Sequence, residues 1–274
     1  MARVLDVVDI ADPADPRLDD FRDLNSIDRR PDLPTGKGLV IAEGVLVVQR
    51  MLASRFDPRA LLGTDRRLSE LADDLAGRDV PYYRVSAEVM AQVVGFHLNR
   101  GVLAAASRVP EPTLADLLGG ARTIAVLEGV NDHENLGSIF RNGAGLGVDA
   151  VVFGAGCADP LYRRAVRVSM GHALLVPYVR STRWPDDLGL LREHGFRLLA
   201  MTPDPRAQTL SAAMDTVRDE PLAVLVGAEG PGLSETTMRA SDIRVRIPMS
   251  RGTDSLNVAT AAALAFYERC RTAP

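Results

Sequence analysis

The chain has little of several features that mark particular classes of protein. Its two cysteines, Cys157 and Cys270, form no CxxC pair and offer no disulfide framework. Its four histidines include no HxxxH pair, so the sequence predicts no structural metal. The longest apolar run, residues 38–48, is interrupted by Glu43 and is too short to span a bilayer. The acidic first residues lack the basic and then apolar order of a signal peptide, which predicts a cytoplasmic protein.

Positive charge is also limited. The formal net charge is −4, and Lys37 is the only lysine among the 32 lysine and arginine residues. An acidic total argues against unspecific coating of nucleic acid, although it leaves room for a local basic site. With 274 residues, the chain has room for one large domain or two ordinary ones.

The first 110 residues predict a small α/β domain. Residues 1–25 are rich in Asp and Pro and predict a partly ordered lead-in, which is followed by a basic, turn-forming segment with Arg29, Arg30 and Lys37. From residue 39 onwards, short apolar runs typical of strands alternate with helical patterns. Two prolines within residues 109–113 indicate a linker. We therefore expect domains at 1–110 and 115–274.

The second domain repeats this alternation. Strands are predicted near residues 123–127, 150–153, 175–179, 197–201, 222–226 and 244–247, and helices near 136–146, 161–168, 185–194 and 234–240. This pattern is typical of a sheet flanked by helices. Because open α/β sheets bind ligands beyond the carboxyl ends of their strands, the loops after these strands are the candidate sites.

Two glycine-rich loops compete for that role. Residues 153–159 (FGAGCAD) superficially resemble a dinucleotide loop, but the third glycine is missing and Pro160 follows, so a plain turn is predicted. Residues 225–234 (LVGAEGPGLS) directly follow an apolar strand, and their glycines permit close approach of a ligand to the backbone. Glu229 in this loop is interpreted as a site carboxylate, the alternative being a solvated turn charge.

Two further loops carry polar side chains. Residues 131–147 (NDHENLGSIFRNGAGLG) contain Asn135 as a candidate helix cap and Arg141 further along the helix. On its own, Arg141 is more typical of a surface arginine than of a catalytic one. Residues 247–257 lead into an alanine-rich helix, which is predicted to begin at about Leu256 with Asp254 or Ser255 as its cap.

Taken in order, these segments resemble the motifs of a known family. NDHENLGSIFRNGA (131–144), GAEGPGLS (227–234) and the pair IPM and SLNVATA (247–249 and 255–261) are similar to the three motifs of the SpoU/TrmH family of the SPOUT methyltransferases. The resemblance covers residues 120–270. The segment before the linker resembles, more weakly, the substrate-binding domain that often precedes that fold and is akin to ribosomal proteins that bind kinked RNA.

The resemblance implies an α/β protein in which a C-terminal SPOUT domain, with a deep trefoil knot, follows a small α/β substrate-binding domain. It implies a homodimer, with the site near the interface, that uses S-adenosylmethionine to methylate a ribose 2′-hydroxyl of a structured RNA, either rRNA or tRNA, and we predict rRNA rather than tRNA. The implied cofactor-binding residues are Thr202, Gly227, Gly232, Ile247, Met249 and Leu256.

For catalysis, the resemblance implies Arg141, Asn135, Glu229, Ser255 and Asn257. A guanidinium hardly loses its proton in proteins, so we expect Arg141 to anchor an RNA phosphate and to stabilise the developing alkoxide rather than to act as a base. In the first domain, the candidates for contacts with the RNA backbone are Arg29, Arg30 and Lys37.

Two alternatives were compared with this interpretation. A Rossmann-type methyltransferase would carry its glycine loop after the first strand and an acid at the end of the second, and neither feature is evident. A non-catalytic RNA-binding module of the same fold would be expected to lack Arg141, Ser255 or Asn257, and all three are present.

Overall fold

A computed structural model of the chain describes residues 5–24, 37–250 and 253–272. These residues divide into two compact units. The first contains the described residues of Met1–Pro110 together with Pro160–Leu175, and the second contains Glu111–Asp159 and the described residues of Val176–Pro274. The units change at Pro110, inside the predicted linker. Residues 160–175, however, lie in the first unit and not in the second, where the sequence division had placed them.

Two contacts explain why residues 160–175 belong to the first unit. Arg163 donates from Nη1 to Oε2 of the buried Glu43 at 2.9 Å, and its guanidinium lies over the ring of Phe96. Arg50 donates from Nη1 to the carbonyl oxygen of Met170. Both hydrogen bonds join residues 120 positions apart. Local sequence patterns carry no information about pairs at such a distance along the chain.

The secondary structure follows the predicted alternation, with shifted ends. In chain order, the strands are β1 (Val7–Asp9), β2 (Leu39–Glu43), β3 (Pro58–Gly63), β4 (Tyr82–Arg84), β5 (Val102–Ser107), β6 (Thr123–Glu128), β7 (Ala150–Phe153), β8 (Tyr178–Arg180), β9 (Arg197–Met201), β10 (Gln208–Thr209), β11 (Leu222–Gly227) and β12 (Ile243–Arg246). The α-helices are α1 (Val45–Leu52), α2 (Asp65–Glu70), α3 (Ala72–Leu75), α4 (Ala87–Val94), α5 (Leu114–Leu118), α6 (His133–Gly145), α7 (Arg163–Val168), α8 (Leu188–Glu193), α9 (Leu210–Thr216), α10 (Glu235–Ala240) and α11 (Val258–Thr272). Of these, β1, β10 and α9 had not been predicted, and α2 and α3 stand where a single helix had been predicted for residues 69–76.

The first unit is built on a sheet with the strand order β1-β4-β3-β5-β2. β1, β4 and β3 are parallel, and β5 runs antiparallel to β3 and β2. The core includes Leu18, Phe21 and Leu24, which are fully buried. The described part of the predicted lead-in, residues 5–24, therefore packs against the first unit through these side chains and is not a partly ordered extension. The many charged residues of this segment suggested an exposed extension, although three of its apolar residues recur at every third position.

The second unit is built on a sheet with the strand order β10-β12-β9-β11-β6-β7-β8, in which all pairs are parallel. Residues 124–127 of β6 and 222–226 of β11 are buried, as is typical of strands with both faces covered by helices. Because the strands run in one direction, all their carboxyl ends lie at one edge of the sheet, here called the carboxyl edge. The opposite edge is called the amino edge.

At the amino edge, a buried arginine of the last helix forms several hydrogen bonds. Arg269 of α11 is buried and donates to Thr123 Oγ1 and to the carbonyl oxygens of Val217, Arg218 and Glu220, at 2.7–3.2 Å. This burial lowers the pKa of the Arg269 guanidinium from its ordinary value. These hydrogen bonds fix the end of α11 to β6 and to the residues that precede β11. The first turn of the same helix lies at the carboxyl edge.

Candidate functional site

A cavity of about 500 Å³ lies at the carboxyl edge of the second unit. It is lined by the segments that follow β9, β11 and β12 and by the start of α11. The structure places these predicted site residues on its lining: Thr202, Gly227, Glu229, Gly232, Ile247, Met249, Ser255, Leu256 and Asn257. Met201, Val226 and Val258, which the sequence analysis had not singled out, add apolar surface.

Residues 227–234, here called the glycine loop, form a tight turn at this cavity. The backbone N–H of Gly232 donates to the carbonyl oxygen of Ala228 at 3.0 Å. A Cβ added to Gly227 would lie only 2.1 Å from the carbonyl carbon of Gly232, so no other residue fits there without a shift of the backbone. Gly230 and Gly232 have φ angles of 87° and 72°, which side chains rarely allow. The glycines therefore build the loop, and its backbone faces the cavity.

Asn135, Glu229 and Asn257 come from three distant segments and are hydrogen-bonded to one another. Asn257 Nδ2 donates to Asn135 Oδ1 at 2.6 Å and to Glu229 Oε1 at 2.7 Å. Asn135 Nδ2 donates to the same Glu229 oxygen at 3.0 Å. The start of α6, the glycine loop and the start of α11 are therefore held together by side chains that had been predicted from separate motifs.

The helix caps next to this network differ from the predicted ones. Asp132, and not Asn135, caps α6, because Asp132 Oδ1 accepts from the backbone N–H groups of Glu134 and Asn135 at 2.9 and 2.8 Å. This leaves the Asn135 amide free to reach Glu229. At α11, Asn257 Oδ1 accepts from the N–H groups of Ala259 and Thr260, so Asn257 takes the capping position predicted for Asp254 or Ser255.

Arg141 lies apart from this network. It is an exposed residue of α6 and does not line the cavity of its own chain. Among the residues that the structure describes, none forms a hydrogen bond or an ion pair with Arg141. The next residue, Asn142, points towards α11 and donates from Nδ2 to the carbonyl oxygen of Ala259 at 3.4 Å. The structure therefore assembles the other predicted catalytic residues and leaves the Arg141 guanidinium in solvent.

Glu128, at the carboxyl end of β6, was missed by the sequence analysis. Its carboxylate accepts hydrogen bonds from the backbone N–H and the hydroxyl of Ser234, from Thr237 Oγ1 and from Trp184 Nε1, at 2.7–3.1 Å. The available signal was an acidic residue directly after the buried strand residues 123–127, in the same position relative to its strand as the candidate loops.

Of the predicted RNA contacts, only Lys37 is among the described residues, and it lies in the first unit. Arg29 and Arg30 are outside the described residues. Lys37 Nζ pairs with Asp20 Oδ1 at 3.0 Å, and Arg59 Nε pairs with the other oxygen of Asp20, also at 3.0 Å. Lys37 and Arg59 therefore share one carboxylate.

Within residues 5–24, 37–250 and 253–272, no group of histidine, cysteine and acidic side chains could hold a metal ion. In the same residues, no helix is long and apolar enough to cross a membrane.

Comparison with known proteins gives consistent matches. Residues 122–267 match the model of the SpoU rRNA methylase family. The uncharacterised tRNA/rRNA methyltransferase Rv0881 of Mycobacterium tuberculosis is 77% identical over 98% of this chain and 93% of its own length. A solved RNA 2′-O ribose methyltransferase is 26% identical with a TM-score of 0.76, covering 97% of this chain and 99% of that one. An AdoMet-bound rRNA methyltransferase from Sinorhizobium meliloti has a TM-score of 0.79 at 22% identity, covering 97% and 98%, and shares the fold.

Proposed function

The chain belongs to the SpoU rRNA methylase family, and we propose that this S-adenosylmethionine-dependent RNA methyltransferase methylates a ribose 2′-hydroxyl of ribosomal RNA. The observation that carries the proposal is the hydrogen-bonded network of Asn135, Glu229 and Asn257, which joins three segments beside a cavity that Glu229 and Asn257 line. The likeness to a solved RNA 2′-O ribose methyltransferase supports the ribose hydroxyl as the acceptor.

We propose that the cofactor lies in this cavity. Its volume of about 500 Å³ is within the range of small-molecule sites. The residues proposed to hold the cofactor are Thr202, Gly227, Gly232, Ile247, Met249 and Leu256. These residues fit the cofactor because Ile247, Met249 and Leu256 offer apolar surface to its flat adenine base. The backbone of the glycine loop offers hydrogen-bonding groups to its polar atoms. The bound cofactor supplies a methyl group that is activated by its positively charged sulfur.

The remaining chemistry concerns the RNA hydroxyl, which is a poor nucleophile until it loses its proton. We propose that Arg141 anchors a phosphate near the target ribose and stabilises the negative charge that develops on the 2′-oxygen while the hydroxyl proton passes to water. A guanidinium has five N–H donors, and those of Arg141 are not used by any described residue. We propose that four further side chains organise the site around the reacting groups: Asn135, Glu229, Ser255 and Asn257.

We propose that the enzyme is a homodimer with its site near the interface. Arg141 does not line the cavity of its own chain, so a site that uses Arg141 fits an arrangement of two copies better than one. Helix α11 also exposes Leu264 and Tyr267, which lie three residues apart on one helix face and are 39% and 53% exposed. A second copy that covers this face would remove their apolar surface from water.

We propose that the first domain contributes the affinity for structured RNA in the cytoplasm. Lys37 and Arg59 both pair with Asp20, so the positive charge of these two side chains exceeds the negative charge of the one carboxylate. Phosphate groups of RNA can bind to such an excess of positive charge, with release of counterions. Arg29 and Arg30 are proposed to extend this basic segment.

The proposed reaction is tested by mapping methyl groups in the rRNA and tRNA of a strain that lacks the protein. We expect one ribose 2′-O-methyl group to be missing from rRNA, and to be restored by purified chain and cofactor but not by the Arg141→Ala variant. Loss of a base methyl group would refute the ribose as the target, and loss from tRNA alone would refute rRNA. RNA binding without any methyl transfer would favour the non-catalytic alternative.

A further inference from the structure

We infer that Glu128 is a positioning residue that holds both ends of the glycine loop and so keeps the cofactor cavity in its binding shape. The inference rests on the proposed position of the cofactor in this cavity. Glu128 itself does not line the cavity, so it acts on the ligand only through the loop.

Glu128 is tied to the first and the last residue of the loop. In the parallel pairing of β11 with β6, Gly227 lies opposite Glu128, which fixes the start of the loop through the backbone. At the end of the loop, the backbone N–H of Ser234 donates to Glu128 Oε2 and the Ser234 hydroxyl donates to Oε1, both at 2.9 Å. The residues between these two ties include Gly227, Glu229 and Gly232, which line the cavity.

Two more donors fix the carboxylate itself. Trp184 Nε1 donates to Glu128 Oε1 at 2.7 Å, and Thr237 Oγ1 donates to the same oxygen at 3.1 Å. The Trp184 ring lies against Gly154 at the end of β7, where an added Cβ would be 2.6 Å from the ring. The Glu128 carboxylate thus links the ends of β6, β7 and β11. Because Trp184 and Thr237 hold it, we expect the carboxylate to keep its position when the glycine loop moves.

This arrangement predicts an effect on affinity and not on the methyl transfer. A loop that is ordered before binding loses less conformational entropy when the ligand binds. If the tie at Ser234 is lost, the loop samples other conformations, and binding must then reorder it. Once the cofactor is bound, the cavity has its parental shape, so the rate at saturation should be preserved.

Glu128→Gln is the sharpest variant because it keeps the shape of the side chain. A glutamine can still accept at the Oε1 position, but its NH2 group then faces the N–H donor of Ser234 where the carboxylate accepted. Because hydrogen bonds to charged groups contribute about 1.5–3 kcal/mol, we expect S-adenosylmethionine to bind about 10- to 100-fold more weakly. Calorimetry on the full chain measures this constant, and single-turnover methylation at saturating cofactor should stay near the parental rate.

Asp149→Ala is the matched control, because it removes an acceptor at the other end of the same strand. The Asp149 carboxylate accepts from the N–H groups of Arg122 and Thr123 at 2.7 and 2.8 Å, at the amino end of the same strand β6. The Asp149 variant should have a lower melting temperature but the parental affinity for the cofactor. If both variants weaken binding equally, the effect is general destabilisation and the inference fails.

Ser234→Ala provides a second test in case Glu128→Gln does not fold. It removes the hydroxyl donor but keeps the backbone tie, so a smaller loss of affinity in the same direction is expected. The inference is overturned if Ser234→Ala and every folded Glu128 variant bind the cofactor within about twofold of the parental constant, or if saturating cofactor fails to restore the rate. A parental chain that does not bind the cofactor at all would instead overturn the proposed cofactor site.

Discussion

The two edges of the parallel sheet use their polar side chains in different ways. At the amino edge, Arg269 is buried and donates to four oxygens, and Asp149 accepts from two backbone N–H groups. At the carboxyl edge, Glu229 and Asn257 are exposed side chains on a cavity. Buried polar groups whose partners are all within the protein stabilise the fold, whereas Glu229 and Asn257, although hydrogen-bonded to each other, are exposed and remain accessible to a ligand in the cavity.

Glu128 is the exception that makes the comparison useful. It lies at the carboxyl edge, but its carboxylate accepts four hydrogen bonds from within the protein, as the polar groups of the amino edge do. Its environment is therefore that of a structural residue placed next to the site. Variants at each edge should separate these roles, since changes at the amino edge should affect stability and changes at the carboxyl edge should affect binding or turnover.

The largest effect on turnover is expected at Arg141. Lysine keeps the positive charge but cannot reproduce the planar fork of a guanidinium, so Arg141→Lys should lower the rate of methylation by about 100- to 1,000-fold. Arg141→Ala should be only modestly worse, and the affinity for S-adenosylmethionine should remain parental for both. Single-turnover methylation and cofactor titration on the same preparations measure the two quantities.

Arg239→Lys is the matched control for Arg141, because Arg239 is also an exposed helical arginine of the second unit and pairs only weakly with Glu235, at 3.6 Å. It should methylate RNA at the parental rate. Parental rates for the Arg141 variants as well would make Arg141 an ordinary surface residue. Weak cofactor binding with early melting would make it a structural one.

Gly227→Ala should have the next largest effect, on cofactor binding. The added Cβ would lie 2.1 Å from the carbonyl carbon of Gly232, so the backbone of the glycine loop must move. With an overpacking cost of about 1–3 kcal/mol, the dissociation constant measured by calorimetry should rise up to about 100-fold. Gly189→Ala is the control, because an added Cβ there meets nothing within 4 Å. Equal affinities of the two variants would contradict the role given to the loop.

The sequence predicted those features that contiguous residues encode. The alternation of apolar runs predicted the α/β fold, and the three motif segments predicted the family; the family match and the structural likeness confirm both. The loops that line the cavity were also found, because glycines and polar residues after buried strands are a local signal. The catalytic and binding roles of their side chains stay predictions.

The sequence could not reveal what long-range contacts decide. The donors to Glu128 lie 56 to 109 positions away along the chain, so its role had no local signature. Asp132 and Asn135 are both acceptable helix caps, and only the position of Glu229 shows which of them is free for the site. The placement of residues 160–175 depends in the same way on Glu43 and Arg50.

At the amino edge, Arg269→Met should lower stability without changing the site. Methionine leaves the carbonyl oxygens of Arg218 and Glu220 without the Arg269 donor and removes one of the two donors to the Val217 carbonyl oxygen, which should reduce the free energy of unfolding by about 3 kcal/mol. Denaturant unfolding measures this loss. Arg271→Met, on the same helix, should change it little, because Arg271 is exposed and its ion pair among the described residues is with Glu268. If folded Arg269→Met binds the cofactor much more weakly, the two edges are not independent.

The smallest effect concerns the two cysteines, which lie one at each edge. Cys157 follows β7 at the carboxyl edge and donates from Sγ to the carbonyl oxygen of Leu127, while Cys270 is exposed on α11 near the amino edge. Burial raises the pKa of the Cys157 thiol, so a smaller fraction is thiolate, the species that reacts with iodoacetamide. We therefore expect Cys270 to be alkylated first at pH 8, and the rate at Cys157 to rise as the pH is raised and its thiolate forms. Peptide mass spectrometry over time gives both rates, with Cys270→Ser to isolate the slower one. Equal rates would mean that the loop after β7 opens readily, and that the carboxyl edge is less ordered than its hydrogen bonds indicate.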